Sequence, residues 1–264
     1  MPQVPPLDVL GRDLLVVPAW RRTLTLAMPF ILAALFFIFA ARGLWLGSLL
    51  CAMVMTFITY GSISHDLVHR NLRLPRRLNE ALLCAIELIT FRCGHAYRIV
   101  HLHHHAHFPA ADDLEGSAAA MSWWRALLEG PILQPRLLWF ALRSGRDRAW
   151  VAGEAITVTI LFVVAVALIP ITIIPAAYAA LMIAGSWLFP IITAYIPHVA
   201  TSDNELTQTK LFRGTMLSVV GAQHLYHLEH HLYPQIPHHN WPELARRLDP
   251  HFERAGLVPV KLFF

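Results

Sequence analysis

Five of the seven residues from 101 to 107 (HLHHHAH) are histidine. A hydrophobic core has no use for such a run, but a transition metal does, because each neutral imidazole offers one nitrogen lone pair. At about 100° per residue on a helix, His101, His104 and His105 share one face, and His103 and His107 point away from it. Three convergent nitrogens are too few to close a site, so further donors must come from elsewhere in the chain.

Two more clusters supply them. His65 and His69 in HDLVH stand at i and i+4, one turn apart on one helix face. HLEHH repeats the i, i+3, i+4 pattern with His227, His230 and His231. His224 falls on that same face as a possible additional ligand, and Glu229 points off it. His198 follows an apolar run and makes a ninth candidate. Eight or nine nitrogens exceed what one ion can use and suit two. A single histidine is best explained as a solvated surface residue, but three patterned clusters are not. Zinc is the next alternative, yet it favours four ligands, often including cysteine. Cys51, Cys84 and Cys93 have no paired spacing, which also weakens a disulfide reading.

The elements that must carry these residues are apolar. Of 264 residues, 56% are hydrophobic and 14% charged, against about 25% charged in an average soluble domain. Residues 23–41 and 44–64 carry no charge, with Arg42 and Gly43 between them, and the second run leads directly into His65. The 43 positions from 155 to 197 are also uncharged. A bilayer core of about 30 Å takes roughly 20 apolar residues, so this run holds two spans, 155–174 and 176–197. Pro170 and Pro175 bracket their connection, and Pro190 is a candidate kink. The expected fold is all-α and integral to the membrane. Four transmembrane helices in two hairpins support a helical cap, 65–154 and 198–264, within one domain over 1–264. Residues 82–91, interrupted by Glu87, are too short to span and read as an interfacial or a buried helix. Trp123, Trp124, Trp139 and Trp150 mark amphipathic helices at the membrane surface. No cleavable signal segment is expected in residues 1–18.

Basic residues set the orientation. Three precede the first span, eleven lie between the second and third, and six follow the fourth; only Arg42 of the 21 falls on the other side. The positive-inside rule places both termini, the cap and all the histidine clusters on the cytoplasmic face. The basic excess, +4 at pH 7, is then explained by topology and anionic headgroups, and no nucleic-acid partner is expected.

HDLVH at 65–69, HLHHH at 101–105 and HLEHH at 227–231, with Pro197-His198 and Tyr233-Pro234-Gln235-Ile236-Pro237, resemble the histidine boxes of the membrane fatty acid desaturase superfamily, which includes acyl hydroxylases and carotenoid oxygenases. The resemblance covers about residues 45–240. It implies two Fe2+ ions held by His65, His69, His101, His104, His105, His198, His227, His230 and His231, with His224 as a possible tenth. It further implies dioxygen as co-substrate and hydrogen abstraction from an unactivated C–H bond, with no catalytic side chain beyond the metal centre. Side chains alone supply no such oxidant, whereas iron with dioxygen does. Asp66, Asp112, Asp113 and Asp203 are candidates to orient the imidazoles, or are ordinary solvated carboxylates and caps.

The 264 residues contain no cytochrome b5-like segment and no cysteine set for an iron–sulfur cluster. Electrons are therefore expected from a separate donor, ferredoxin or cytochrome b5 with its reductase. The expected substrate is a lipid from the bilayer. HLEHHLYP resembles acyl desaturases, which implies a fatty acyl chain, and Asp112-Asp113 resembles carotenoid ketolases, which implies a carotenoid ring to be ketolated or hydroxylated. A membrane metal transporter or metal-binding protein is the alternative from another class, and the uncharged spans argue against it.

Overall fold

The computed structural model describes residues 4–202, 204–214 and 225–262. It is mostly helical: α1 (Leu7–Leu10), α2 (Ala19–Ala41), α3 (Trp45–Ile58), α4 (Ser64–His69), α5 (Arg76–Ile89), α6 (Gly94–His107), α7 (Trp123–Ser144), α8 (Arg148–Ala167), α9 (Ile174–Ser186), α10 (His227–Leu232) and α11 (Trp241–Arg254). Among the described residues, sheet is confined to one parallel pair, β1 (Phe212–Arg213) with β2 (Val260–Lys261). Among the described residues, four helical stretches are long and apolar enough to cross a membrane: Arg12–Ala41, Trp45–His69, Arg148–Ala167 and Ile174–Tyr195. Their outward residues are apolar too, among them Phe37, Leu46, Ile160 and Val163, as lipid contact requires.

Two of these stretches widen at their ends. A π-helical turn, Thr59–Ile63, joins α3 to α4 just before His65. A second, Pro190–Tyr195, comes after α9 and just before His198. Pro190 has no N–H to give an α-helical ladder, and it opens this turn. Such turns insert about one extra residue and re-aim the next side chains along the helix, and they are frequent at functional sites.

Three cores hold the elements. Phe36, Ala52, Met55, Tyr178 and Met182 pack α2, α3 and α9 together. Tyr60, Leu67, Leu83, Ile86, Val100 and Leu137 join α4, α5, α6 and α7. Leu10, Phe212, Leu228, Trp241, Leu244 and Leu248 gather the remaining elements around α11. α7 buries a single stripe, Ala126, Gly130, Leu133, Leu137 and Ala141. At Gly130 a Cβ would overlap the Trp187 backbone, so only glycine permits that approach.

Helix bounds shift from the expected spans in several places. The third candidate span starts at Arg148 rather than 155, and its one acid, Glu154, is buried and hydrogen-bonded by His95 (2.7 Å). Segment 82–91 forms most of α5, which buries Leu83, Ile86 and Glu87 inside the protein. Glu87 has a partner there: Arg92 Nε donates to Oε2 (2.7 Å) and Nη2 to Oε1 (3.0 Å). Ser64 Oγ donates to the same carboxylate (2.5 Å), and Arg92 Nη2 reaches Thr59 Oγ1 (2.9 Å). This pair fastens the π-turn and the start of α4. Removing one partner of a buried ion pair strands the other. Glu87→Leu should therefore cost about 3–5 kcal/mol, and Glu87→Leu/Arg92→Leu should recover most of it. Thermal denaturation in detergent checks both.

Candidate metal centre

Nine imidazoles meet where α4, α6 and α10 converge with His198. His65, His69, His101, His105 and His230 form one group, and His104, His198, His227 and His231 a second; within each, one nitrogen per ring lies within 4.8 Å of every other. The groups adjoin through His105 and His231, whose ring centroids are 4.5 Å apart. These are the nine histidines singled out in the sequence, eight by spacing and His198 by its place after an apolar run. His224 and Asp203 lie outside the described residues.

The nitrogens face one another closely. In the first group Nε2 atoms of His69 and His101 are 3.0 Å apart, those of His101 and His105 3.1 Å, and those of His105 and His230 2.8 Å. In the second, His198 Nε2 faces His104, His227 and His231 at 3.1–3.2 Å. Hydrogen bonds cannot satisfy this set, since a neutral imidazole carries one N–H. Two nitrogens at right angles on a metal, with bonds of about 2.1 Å, sit about 3.0 Å apart. The buried Nδ1 atoms of His65 and His230 have no hydrogen-bond partner among the described residues. A cation with nitrogen preference fits this donor set.

Carboxylates fix two of the rings. His104 Nδ1 donates to Asp113 Oδ2 (2.7 Å), and His101 Nδ1 donates to Glu115 Oε2 (2.9 Å). Each bond places the proton on Nδ1 and leaves the Nε2 lone pair facing the group. Asp113 Oδ1 also accepts from the Gly116 backbone N–H (3.0 Å). A Cβ at Gly116 would collide with Asp113 Oδ2 and the Phe108 ring. His198 is anchored by its Nδ1 contact to the Ala194 carbonyl (3.2 Å) and by a bridge to Thr209.

Of the three candidate orienting carboxylates among the described residues, Asp113 contacts one of the nine rings and Asp66 and Asp112 contact histidines outside the set. Asp66 points off the His65 face. It accepts from the His238 backbone N–H (3.0 Å) and ring Nδ1 (2.7 Å), tying α4 to the chain before α11. Asp112 is exposed and pairs with His103 (3.1 Å). Glu115 is not among the residues picked out by sequence, since nothing in its spacing separates it from any acid of a polar connection. Glu229, off the metal face as expected, is fully buried, with Arg213 Nη2 2.7 Å from its Oε1. Trp241 closes one side, its ring centroid 5.4 Å from His65 and 5.1 Å from His230. Asn71 Nδ2 donates to the Pro234 carbonyl (2.9 Å) and holds the Tyr-Pro-Gln-Ile-Pro segment against the end of α4.

Burial, and then the neighbouring imidazoles, hold His101, His105, His227, His230 and His231 well below histidine's ordinary pKa. His198 falls with them, chiefly through burial and next through His104. His104 departs upward: burial pulls it down, but the hydrogen bond to Asp113 and the charge of Glu115 outweigh that. Burial pushes the Glu115 carboxyl up to about 7. Six imidazoles are therefore neutral near pH 7, the form that binds a metal.

A narrow gap of about 20 Å³ touches His65, His101, His227 and Glu115, and Tyr60, Gly61, Ile192 and Thr193 line its other side. Those same four residues end a larger apolar cleft, about 170 Å³, between α3 and α9, lined further by Leu49, Met53, Phe57 and Leu188. The cleft between two candidate spans and the gap at the nitrogens thus share a wall of four residues.

The fatty acid desaturase family model matches residues 40–262. No curated protein matches the chain.

Two outcomes are expected. Gly116→Val displaces Asp113 from His104, and loss of such an orienting contact typically costs 10–100-fold in metal affinity; competition with a chelator measures it. Below about pH 6.5 the unfolded chain takes up protons that the six depressed imidazoles refuse, so stability is present above that pH and lost as pH falls. His104, Glu115 and Glu229, shifted upward, oppose this but are outnumbered. The melting temperature of metal-stripped protein should drop from about pH 7 to about pH 5.

Proposed function

The chain belongs to the fatty acid desaturase family, and on that premise we propose that this oxidoreductase is a membrane di-iron enzyme using dioxygen to desaturate or hydroxylate an unactivated position of a fatty acyl chain. The observation that carries the reading is the pair of all-nitrogen groups, five and four imidazoles, at the inner end of an apolar cleft between two spans. His65, His69, His101, His105 and His230 would hold one iron, and His104, His198, His227 and His231 the other. Bound there, the irons with dioxygen and donated electrons supply the oxidising power that no side chain has.

The chain's own residues do the rest. Asp113 and Glu115 hold His104 and His101 in the tautomer that presents Nε2 inward. Leu49, Met53, Phe57 and Leu188 offer an alkyl chain a dry path. Tyr60, Gly61, Ile192 and Thr193 form the constriction through which it reaches the imidazoles. Oxidation of a C–H bond needs no charged catalytic base in contact with the substrate, and the cleft lining offers none.

We place the four spans as two hairpins, with the chain a single domain and the histidine cap, both termini and the site on the cytoplasmic side, as the distribution of arginine and lysine requires. There an external donor, ferredoxin or cytochrome b5 with its reductase, can deliver electrons.

Purified protein should contain about two irons per chain. His104→Ala or His230→Ala should remove metal from its own group and abolish turnover. Lipid profiling of a host expressing the protein with a suitable reductase should reveal a new double bond or hydroxyl in acyl chains. An oxygenated carotenoid instead would move the substrate to a ring, and metal uptake by liposomes without oxygen consumption would make the protein a transporter.

A further inference from the structure

Two histidines of the central run stay outside both groups. His103 and His107 lie on the opposite face of α6, their rings stacked with centroids 3.8 Å apart and planes 16° from parallel. His107 Nδ1 donates to the His103 carbonyl (2.9 Å), which leaves its Nε2 as a lone pair. His103 is half-buried against Phe140, with a centroid distance of 5.0 Å, and its Nε2 lies 3.1 Å from Asp112 Oδ2. One nitrogen from each ring and one Asp112 oxygen lie within 4.8 Å of one another.

We propose that His103, His107 and Asp112 form a third, solvent-facing site for a divalent transition-metal ion, which clamps segment 108–115 onto the end of α6. Two imidazoles one helical turn apart with a carboxylate make an N2O donor set, suited to zinc, copper(II) or nickel and leaving a position for water. Where the ion takes Nε2 of His103 in place of the contact to Asp112, that ring's one N–H moves to Nδ1, so the imidazole binds neutral. Exposure of His107 and Asp112 gives it direct entry, without passage through the buried groups.

The clamp acts through chain connectivity. Asp112 precedes Asp113, whose carboxylate holds His104, and Glu115, which holds His101, lies two residues further on. Between α6 and these acids the chain turns tightly, with Ala110 N–H donating to the His107 carbonyl (2.6 Å) and Asp113 N–H to the Ala110 carbonyl (3.1 Å). Fastening Asp112 to α6 therefore restricts the segment on which two inner imidazoles depend.

The test uses the full chain in detergent, as purified. After equilibrium dialysis against zinc, zinc and whatever metal the buried groups retain are counted in the same sample. The unaltered protein should take up one zinc that His107→Ala and Asp112→Asn both lose, with the other metal unchanged. Neither substitution removes a buried side chain, so folding is preserved. No zinc uptake by the unaltered protein, or equal uptake by the variants, overturns the site. Backbone hydrogen exchange at 110–116 should slow on zinc addition in the unaltered protein only; no slowing overturns the clamp. The zinc difference between protein and variants is independent of the buried metal, so failure of the di-iron reading and failure of this site give different results.

Discussion

Imidazole nitrogens held about 3 Å apart in a dry pocket do not stay there willingly. His198 Nε2 alone faces three others, and lone pairs so placed repel unless protons or a cation intervene. Protons are a poor answer, because burial and mutual repulsion hold most of these rings well below histidine's ordinary pKa. A metal ion answers it fully, since it takes several nitrogens at once at that spacing. Much of the surrounding structure serves to keep the rings in this costly arrangement.

Three devices share the task. Asp113 and Glu115 fix rings from behind through Nδ1, setting proton position and orientation together. The two π-helical turns stand immediately before His65 and His198. One extra residue in a helix rotates every later side chain by about 100°, enough to move one from the lipid face to the interior. The first turn is braced by Arg92 and Glu87, whose charges are buried but matched. The third device is the closing of the chain's later part over α4, through Asp66 with His238 and Asn71 with Pro234.

Much of the centre is legible in the sequence because helical spacing and imidazole chemistry are both local. The i, i+3, i+4 pattern of His101, His104 and His105 requires only that 101–105 be helical, and α6 makes it so. His198 is legible for another reason, its position at the end of an uncharged run. The hidden part depends on contacts distant in sequence. Glu115 reaches His101 because the chain turns after α6, and no periodicity encodes that turn. Asp66 reads as an orienting group for its own histidines, yet one residue is about 100° around a helix, which aims it at His238. Glu154 marks no boundary because the backbone N–H and ring of His95, 59 positions earlier, hydrogen-bond its carboxylate.

The location of the centre reflects the same economy of solvent. Histidines that must stay neutral are most easily kept so away from water, and the gap at His65, His101 and His227 shares four lining residues with an apolar cleft. A soluble protein would have to wrap such a site in a core of its own. Here the spans that orient His65 and His198 also form the walls of the cleft, α3 on one side and α9 on the other. At Gly185 a Cβ would press on the Thr56 side chain, so glycine keeps those walls close. Ring placement and cleft width are thus set by one helix pair. A change that moves α3 against α9 alters both at once, which couples cleft width to how the nitrogens meet.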